Sequence, residues 1–247
     1  MAPIARVQDL VKVYGSEKNQ TAVLRGVTLV LEERTFACVM GPSGSGKSTL
    51  LHLVSGLDEP TAGTVELAGS DLASLSLRER TLLRRRTVGY VFQFFNLLPN
   101  LTVEENVALP LAIDGKPPAE QRERALPLLE RFGIAKRAAA FPHQLSGGEM
   151  QRTSIARALA GGQPLLLCDE PTGNLSQQAG LEVMEALRSV CDHDGRTVLL
   201  VTHNPRDACF ADEVRFLVDG QIALDQVLRG RGTKVERVHE ALSALRI

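Results

Sequence analysis

The chain has 247 residues, 44% of them apolar, with 28 basic and 29 acidic side chains and a formal net charge of −1. That balance excludes a global electrostatic pull toward nucleic acid or anionic lipid, and apolar runs of about five residues fall far short of the roughly twenty that a membrane-spanning helix needs. The opening MAPIARVQD lacks a signal-peptide core, so the expectation is a soluble chain, long enough to bury a sizeable core in one domain.

Cys38, Cys168, Cys191 and Cys209 are scattered without a C-x-x-C spacing, which suits buried thiols in a reducing compartment and argues against a zinc site. From residue 4 to 36, apolar and polar positions alternate, as at Val27, Leu29 and Leu31, and this predicts a small antiparallel sheet. Tyr14 stands before Gly15 and a polar loop in a chain with no Trp and two Tyr. It is a face on which a purine could stack, or a strand-end ring packing on its own sheet.

The run Phe36 to Met40 predicts a buried strand, and Leu50, Leu51, Leu53 and Val54 predict a helix face. Between them, residues 41 to 49 read GPSGSGKST, a full match to the phosphate-binding loop G-x-x-x-x-G-K-[ST] in the strand–loop–helix context it requires. Gly41, Gly44 and Gly46 let the backbone turn its N–H groups around a polyphosphate, and the helix points its positive end at the same anion. Lys47 suits the β- and γ-phosphates, Ser48 a Mg²⁺ ion and Thr49 the α-phosphate.

Thr64 to Leu67 is strand-like, and the segment Leu77 to Arg86, with five arginines, reads as a solvated helix or as a face for phosphates. Val88 to Phe92 is a further apolar run ending at Gln93. From Asn96 to Ala160 the pattern turns helical and predicts a lobe inserted into the sheet-based part. Pro127 is expected to kink or interrupt the helix over Ala119 to Phe132. Ser146 and Glu149 have capping-box spacing, and with Gly147 and Gly148 the same helix start is also an anion site.

Pro164 to Cys168 predicts a strand ending in Asp169 and Glu170, whose side chains point to opposite faces, so that one can hold Mg²⁺ while the other addresses an attacking water. A helix from Gln177 to Val190, apolar at Leu181, Met184, Leu187 and Val190, leads to a strand Val198 to Thr202 and to His203. This alternation predicts a parallel sheet covered on both faces, with His203 at the ligand-binding edge. Val214 to Leu224, around Asp219-Gly220, predicts a hairpin. The tail from Thr233 opens with a second capping-box spacing (Thr233, Glu236) and carries Val235, Val238, Leu242 and Leu245 on one face, for packing on the chain's own core or on a partner.

The phosphate loop, Gln93, LSGGE at 145 to 149, LLLCDEP at 165 to 171 and VTH at 201 to 203 stand in the order found in ATP-binding-cassette ATPases, and the chain resembles that family over essentially its whole length. FQFFNLLPNLTVEENVALPL at 92 to 111 and DEPTGNL at 169 to 175 are similar to the branch containing lipoprotein-releasing and macrolide-export ATPases and the cell-division cassette. The resemblance implies an α/β fold of the P-loop NTPase type. Its parts would be a mixed, mainly parallel sheet core with an N-terminal antiparallel subdomain (about 1–94 and 162–229), an inserted helical lobe (about 95–161) and a C-terminal helix (about 233–247).

It further implies a head-to-tail dimer sandwiching two ATP molecules, each between one copy's phosphate loop and the other copy's Ser146, Gly147, Gly148 and Glu149. In the carried-over roles Tyr14 stacks on adenine, and Gly41, Pro42, Ser43, Gly44, Ser45, Gly46, Lys47, Ser48 and Thr49 hold the phosphates. Ser48, Gln93 and Asp169 serve Mg²⁺, Glu170 polarises water, and His203 contacts the γ-phosphate. The partner would be a multi-span membrane permease of exporter or extraction type, on whose cytoplasmic face the chain would sit; a module that signals through a membrane protein without transport is the alternative. Soluble cassettes of translation or DNA repair have two cassettes or a long coiled coil, neither of which is visible here. Ser176 departs from the family's usual aspartate, which leaves the cap intact but puts that residue's trans-subunit contact in question, so an active ATPase with weakened coupling between its sites is expected. Met150 and Arg34 also depart, Arg34 at a turn where glycine is frequent.

Overall fold

The computed structural model describes residues 3–16 and 19–246. Two long strands, β1 (Pro3–Tyr14) and β2 (Thr21–Glu32), pair antiparallel, as the alternation predicts. After β3 (Phe36–Met40) and the helix α1 (Lys47–Val54), the chain returns to that sheet with β4 (Ala62–Leu67) and β5 (Ser70–Asp71), giving the order β2-β1-β4-β5. The arginine-rich helix α2 (Leu77–Thr87) and β6 (Val88–Val91) follow.

The helical segment consists of α3 (Val103–Ile113), α4 (Pro118–Arg131) and α5 (Gly147–Leu159). Then come β7 (Leu165–Asp169), α6 (Gln177–Asp194), β8 (Thr197–Thr202), the short α7 (Pro205–Ala208), β9 (Glu213–Val218), β10 (Gln221–Ile222), β11 (Leu228–Arg229) and α8 (Val235–Ala244). The second sheet runs β10-β9-β3-β8-β7-β6, parallel from β9 to β6. Asp219 and Gly220, both with positive φ, turn β9 back into β10.

The central strands of this sheet are nearly continuous apolar runs, FACVM in β3, LLLC in β7 and VLLV within β8, because both faces are covered. In β3, Phe36, Cys38 and Met40 enter a core formed with α3 to α6 and α8, while Val39 enters a second core formed with α1 and the antiparallel sheet. Leu199 and Val201 of β8 alternate with Val198 and Leu200 in the same way. All four cysteines are free, and burial pushes the Cys38 and Cys168 thiols up.

Three local expectations are corrected. Pro127 does not interrupt α4, because it lies on the exposed face, where the carbonyl left without a partner can be hydrated. Thr233 does not cap α8: its hydroxyl donates to the Gly230 carbonyl, and the helix begins after Lys234 without a side-chain cap. Leu181 is 44% exposed, and the buried stripe of α6 is Gly180, Val183, Met184, Leu187, Val190 and Cys191. The tail helix does pack on the chain's own core, through Val238 and Ala241.

Candidate active site

The loop from Gly41 to Gly46 leaves the C-terminal end of β3 and enters α1 with backbone geometry that only glycine adopts easily. Gly46 has φ +103°, and a β-carbon there would stand 2.7 Å from Leu24 Cδ2; one at Gly41 would stand 2.2 Å from the Leu217 carbonyl oxygen. At Gly44, also left-handed, nothing lies within 4 Å, so that stretch of backbone faces open space. Gly46 gives α1 no side-chain cap and the first turn holds no acid, which leaves the helix's first N–H groups to an external anion. The Ser45 hydroxyl is buried without a partner among the described residues.

Lys47 is buried, and its Nζ donates to the Gly41 and Pro42 carbonyls at 2.9 Å each. Parallel register sets what faces it: Met40 pairs with Thr202 and Asp169 with Val201, so three strands end level. Glu170 and His203 therefore emerge beside the phosphate loop. Ser43, Gly44, Gly46, Lys47, Ser48, Thr49, Gln93, Glu170 and His203, with Val23, line one cavity of about 450 Å³.

Within it, Glu170 Oε1 lies 3.5 Å from Lys47 Nζ, and its Oε2 accepts a hydrogen bond from His203 Nδ1 at 2.8 Å. Glu170 holds φ +44°, unusual for a residue with a side chain, and is secured by its N–H donating to Val201 O at 2.9 Å. Ser48 Oγ donates to Asp169 Oδ1 at 3.0 Å. Burial raises the Asp169 carboxyl above its ordinary value, and the Ser48 hydrogen bond works against that rise.

Ser146, Gly147, Gly148 and Glu149 do not line this cavity. They open α5, where the expected capping box is formed: Ser146 Oγ accepts from the Glu149 N–H at 3.3 Å and Glu149 Oε2 accepts from the Ser146 N–H at 2.8 Å. The Ser146 N–H first, and Arg137 second, hold the Glu149 carboxyl at about 2. Tyr14, at the end of β1, also lies outside the cavity lining; the residue is 41% exposed and its hydroxyl donates to Asp58.

Sequence reasoning passed over the groups that brace these residues. Buried Asp207 on α7 accepts hydrogen bonds from the hydroxyls of Thr172 and Thr202, which tie the Glu170 loop to the His203 loop. Phe95 and Asn96, just past Gln93, are both left-handed, and the buried Arg157 donates to their carbonyls. Gln151 donates to Phe92 O and Asn174 to Gln93 O. The signal in the chain was the polar stripe Gln151, Ser154 and Arg157 on a helix otherwise apolar enough to be buried.

This arrangement agrees with the comparisons to known proteins. A family model described as ABC transporter matches residues 24–173. The chain belongs to the ABC transporter family. This ABC chain is 46% identical over 225 residues to the lipoprotein-releasing system ATP-binding protein LolD 2 of Caulobacter vibrioides, covering 91% of itself and 99% of that protein. It is 45% identical over 228 residues to the macrolide export ATP-binding/permease protein MacB of Brucella melitensis biotype 1, covering 92% of itself but 35% of that protein. The ABC chain thus spans about a third of the length of the macrolide-export relatives it matches. In structure it resembles a dimeric ATP-binding cassette in a post-hydrolysis state bound to ADP and Pi, with a TM-score of 0.84 and 38% identity over 92% of this chain and 99% of that one. The match extends to the fold class: an antiparallel N-terminal sheet beside a mixed core.

Proposed function

We propose that this chain binds ATP, hydrolyses it, and drives a separate membrane permease. The observation that carries the reading is the meeting of Lys47, Glu170, His203 and the Ser48–Asp169 pair at one sheet edge, in the cavity faced by the glycine loop. Loop N–H groups and the end of α1 bind the triphosphate, Lys47 neutralises its β- and γ-oxygens, and Thr49 contacts the α-phosphate. Glu170 orients and polarises the attacking water, and His203 contacts the γ-phosphate.

The donor set also fits Mg²⁺: the Ser48 hydroxyl, the Asp169 carboxylate to which it is already bonded, and the Gln93 amide are all oxygen donors. Ser48, Asp169 and Gln93 would hold it, and when bound it would neutralise charge developing on the phosphate oxygens.

Ser146, Gly147, Gly148 and Glu149 lie apart from the cavity, so a second copy, placed head to tail, supplies them to the γ-phosphate. Closure of that dimer on ATP and its release on hydrolysis form the power stroke. The cassette comprises the core (about 1–94 and 162–229), the lobe (about 95–161) and the tail helix (about 233–247), with Gln93 at the core–lobe junction. No helix among the described residues is long and apolar enough to cross a membrane. The spans that the cassette drives belong to the permease, on whose cytoplasmic face it sits.

The test is Mg²⁺-dependent ATPase activity in the purified chain and in Glu170→Gln, together with capture of the Glu170→Gln chain with ATP from gently solubilised membranes. Loss of turnover with an ATP-dependent dimer and a co-purifying multi-span protein is expected. Turnover of the variant at the parental rate removes Glu170 from the role of base, and recovery of soluble partners alone removes the transporter reading.

A further inference from the structure

Tyr14 does not stand free at the end of β1. Its hydroxyl donates to Asp58 Oδ2 at 2.6 Å, and Lys12, two residues earlier on the same strand face, lies over its ring with Nζ 4.7 Å from the centroid. Lys12 is only 9% exposed, and its Nζ donates to Asp58 Oδ1 and to Glu59 O, each at 2.7 Å. One carboxylate thus joins the ammonium that covers one ring face to the hydroxyl at the ring's tip. The Lys12 contacts and the Tyr14 hydroxyl hold the Asp58 carboxyl below its ordinary value, against the effect of burial, so it is ionised at neutral pH.

Asp58 also anchors this triad to the phosphate-binding part of the molecule. The N–H groups of Leu57 and Asp58 both donate to His52 O, at the end of the helix that follows the glycine loop. Thr61 reinforces the link from the other side: its N–H donates to Val11 O and its hydroxyl accepts from the Val13 N–H. Beyond Tyr14 the chain turns at once through Gly15, whose φ is +106° and where a β-carbon would stand 2.0 Å from Asn19 O.

We propose that Lys12 and Asp58 are positioning residues for the nucleotide base: they lock the Tyr14 ring at a set place relative to α1 and block one of its faces, leaving the opposite face as the stacking platform. The inference rests on the reading of Tyr14 as the adenine contact. A tyrosine at 41% exposure without these partners would sample several rotamers and lose that freedom on each binding event. Held in place, it meets the base already ordered. Stacking on a ring face reads the area of the base and none of its edge groups, so the platform favours purines over pyrimidines and ranks ATP and GTP together.

The experiment measures equilibrium binding of ATP and of inorganic tripolyphosphate to the full chain, and to Tyr14→Ala, Tyr14→Phe, Asp58→Asn and Lys12→Met. Tripolyphosphate fills the phosphate loop but has no base to stack. The expected result is ATP affinity about three- to ten-fold weaker in Asp58→Asn and Lys12→Met, and about three-fold weaker in Tyr14→Phe, with tripolyphosphate affinity unchanged in all. If Tyr14→Ala leaves ATP affinity intact, the ring is no platform and the underlying reading falls with the proposal. If Tyr14→Ala weakens ATP but Asp58→Asn and Tyr14→Phe do not, the platform stands and the lock is overturned. Equal weakening of ATP and tripolyphosphate in Asp58→Asn also overturns it, since the residue would then act through the loop.

Discussion

Lys47 Nζ and Glu170 Oε1 stand 3.5 Å apart, a nearly buried pair formed by the residue assigned to the phosphates and the residue assigned to the water. A polyphosphate entering the loop competes with Glu170 for that ammonium. Glu170→Gln is therefore expected to bind ATP about two- to five-fold more tightly than the parent, while turnover falls at least about a hundred-fold. Calorimetric titration decides: weaker binding by the variant would mean that the pair assists nucleotide binding.

Arg34 holds φ +60° at the turn into β3, a conformation that costs a side-chain-bearing residue about 1 kcal/mol and glycine nothing. Its N–H donation to Thr197 and its carbonyl's acceptance from Cys191 are backbone contacts that glycine keeps. Arg34→Gly should stabilise the fold by roughly 0.5 kcal/mol, once the greater freedom of glycine in the unfolded chain is subtracted. A lower urea midpoint would contradict it.

Glu149 provides the pH-dependent part of the α5 cap. Its carboxyl falls from 4.5 to about 2 on folding, so the unfolded chain takes up the proton first as pH drops. The stabilisation is complete above about pH 5 and is lost as pH falls from about 4.5 through about 2. Urea midpoints of the parent and Glu149→Gln should differ at pH 7 and converge near pH 2; a gap that persists at pH 2 would assign the stabilisation to packing.

Arg157 is a buried cation whose visible compensation is the carbonyls of Phe95 and Asn96 and the Ser154 hydroxyl. Burial pulls its guanidinium down to about 10, still charged at neutral pH. Arg157→Met removes the donors and leaves two left-handed residues unsupported, at a cost of about 3 kcal/mol. A loss below about 1 kcal/mol in urea unfolding would show that the 94–96 turn holds itself.

Ser176 caps α6 by accepting from the Ala179 N–H at 3.4 Å. Ser176→Ala should cost about 1 kcal/mol and Ser176→Asp close to nothing, since both native cap types serve. In the proposed head-to-tail dimer position 176 would face the second copy, so Ser176→Asp is expected to raise the Hill coefficient for ATP. An unchanged coefficient would place coupling between the sites elsewhere.

The α5 cap was legible because Ser146 and Glu149 are three residues apart and every partner of a cap is local. The phosphate loop was legible for the same reason: its nine residues are consecutive, and the turn it makes depends on their own torsions. Pro127 misled because a proline's effect depends on which way its helix face points, and Thr233 because a hydroxyl chooses between the helix and a carbonyl behind it. Gly89 could not be read at all. A β-carbon there would stand 2.1 Å from Ala158 O, a contact between β6 and α5 that no local pattern records.

By itself, then, the chain determined its main strands, its glycine loop and the capped start of α5, since each is set by torsional preference, by residue period, or by hydrogen bonds within a few positions. Tertiary structure decided what meets what. Ser48 reaches Asp169 across 121 residues, and Glu170 joins Lys47 to His203, because β3, β8 and β7 pair in parallel with their ends level. Lys12, Asp58 and Tyr14 meet because β1 passes beside the end of α1. Such meetings depend on strand register and sheet order, which are properties of the whole packed chain and of no stretch within it.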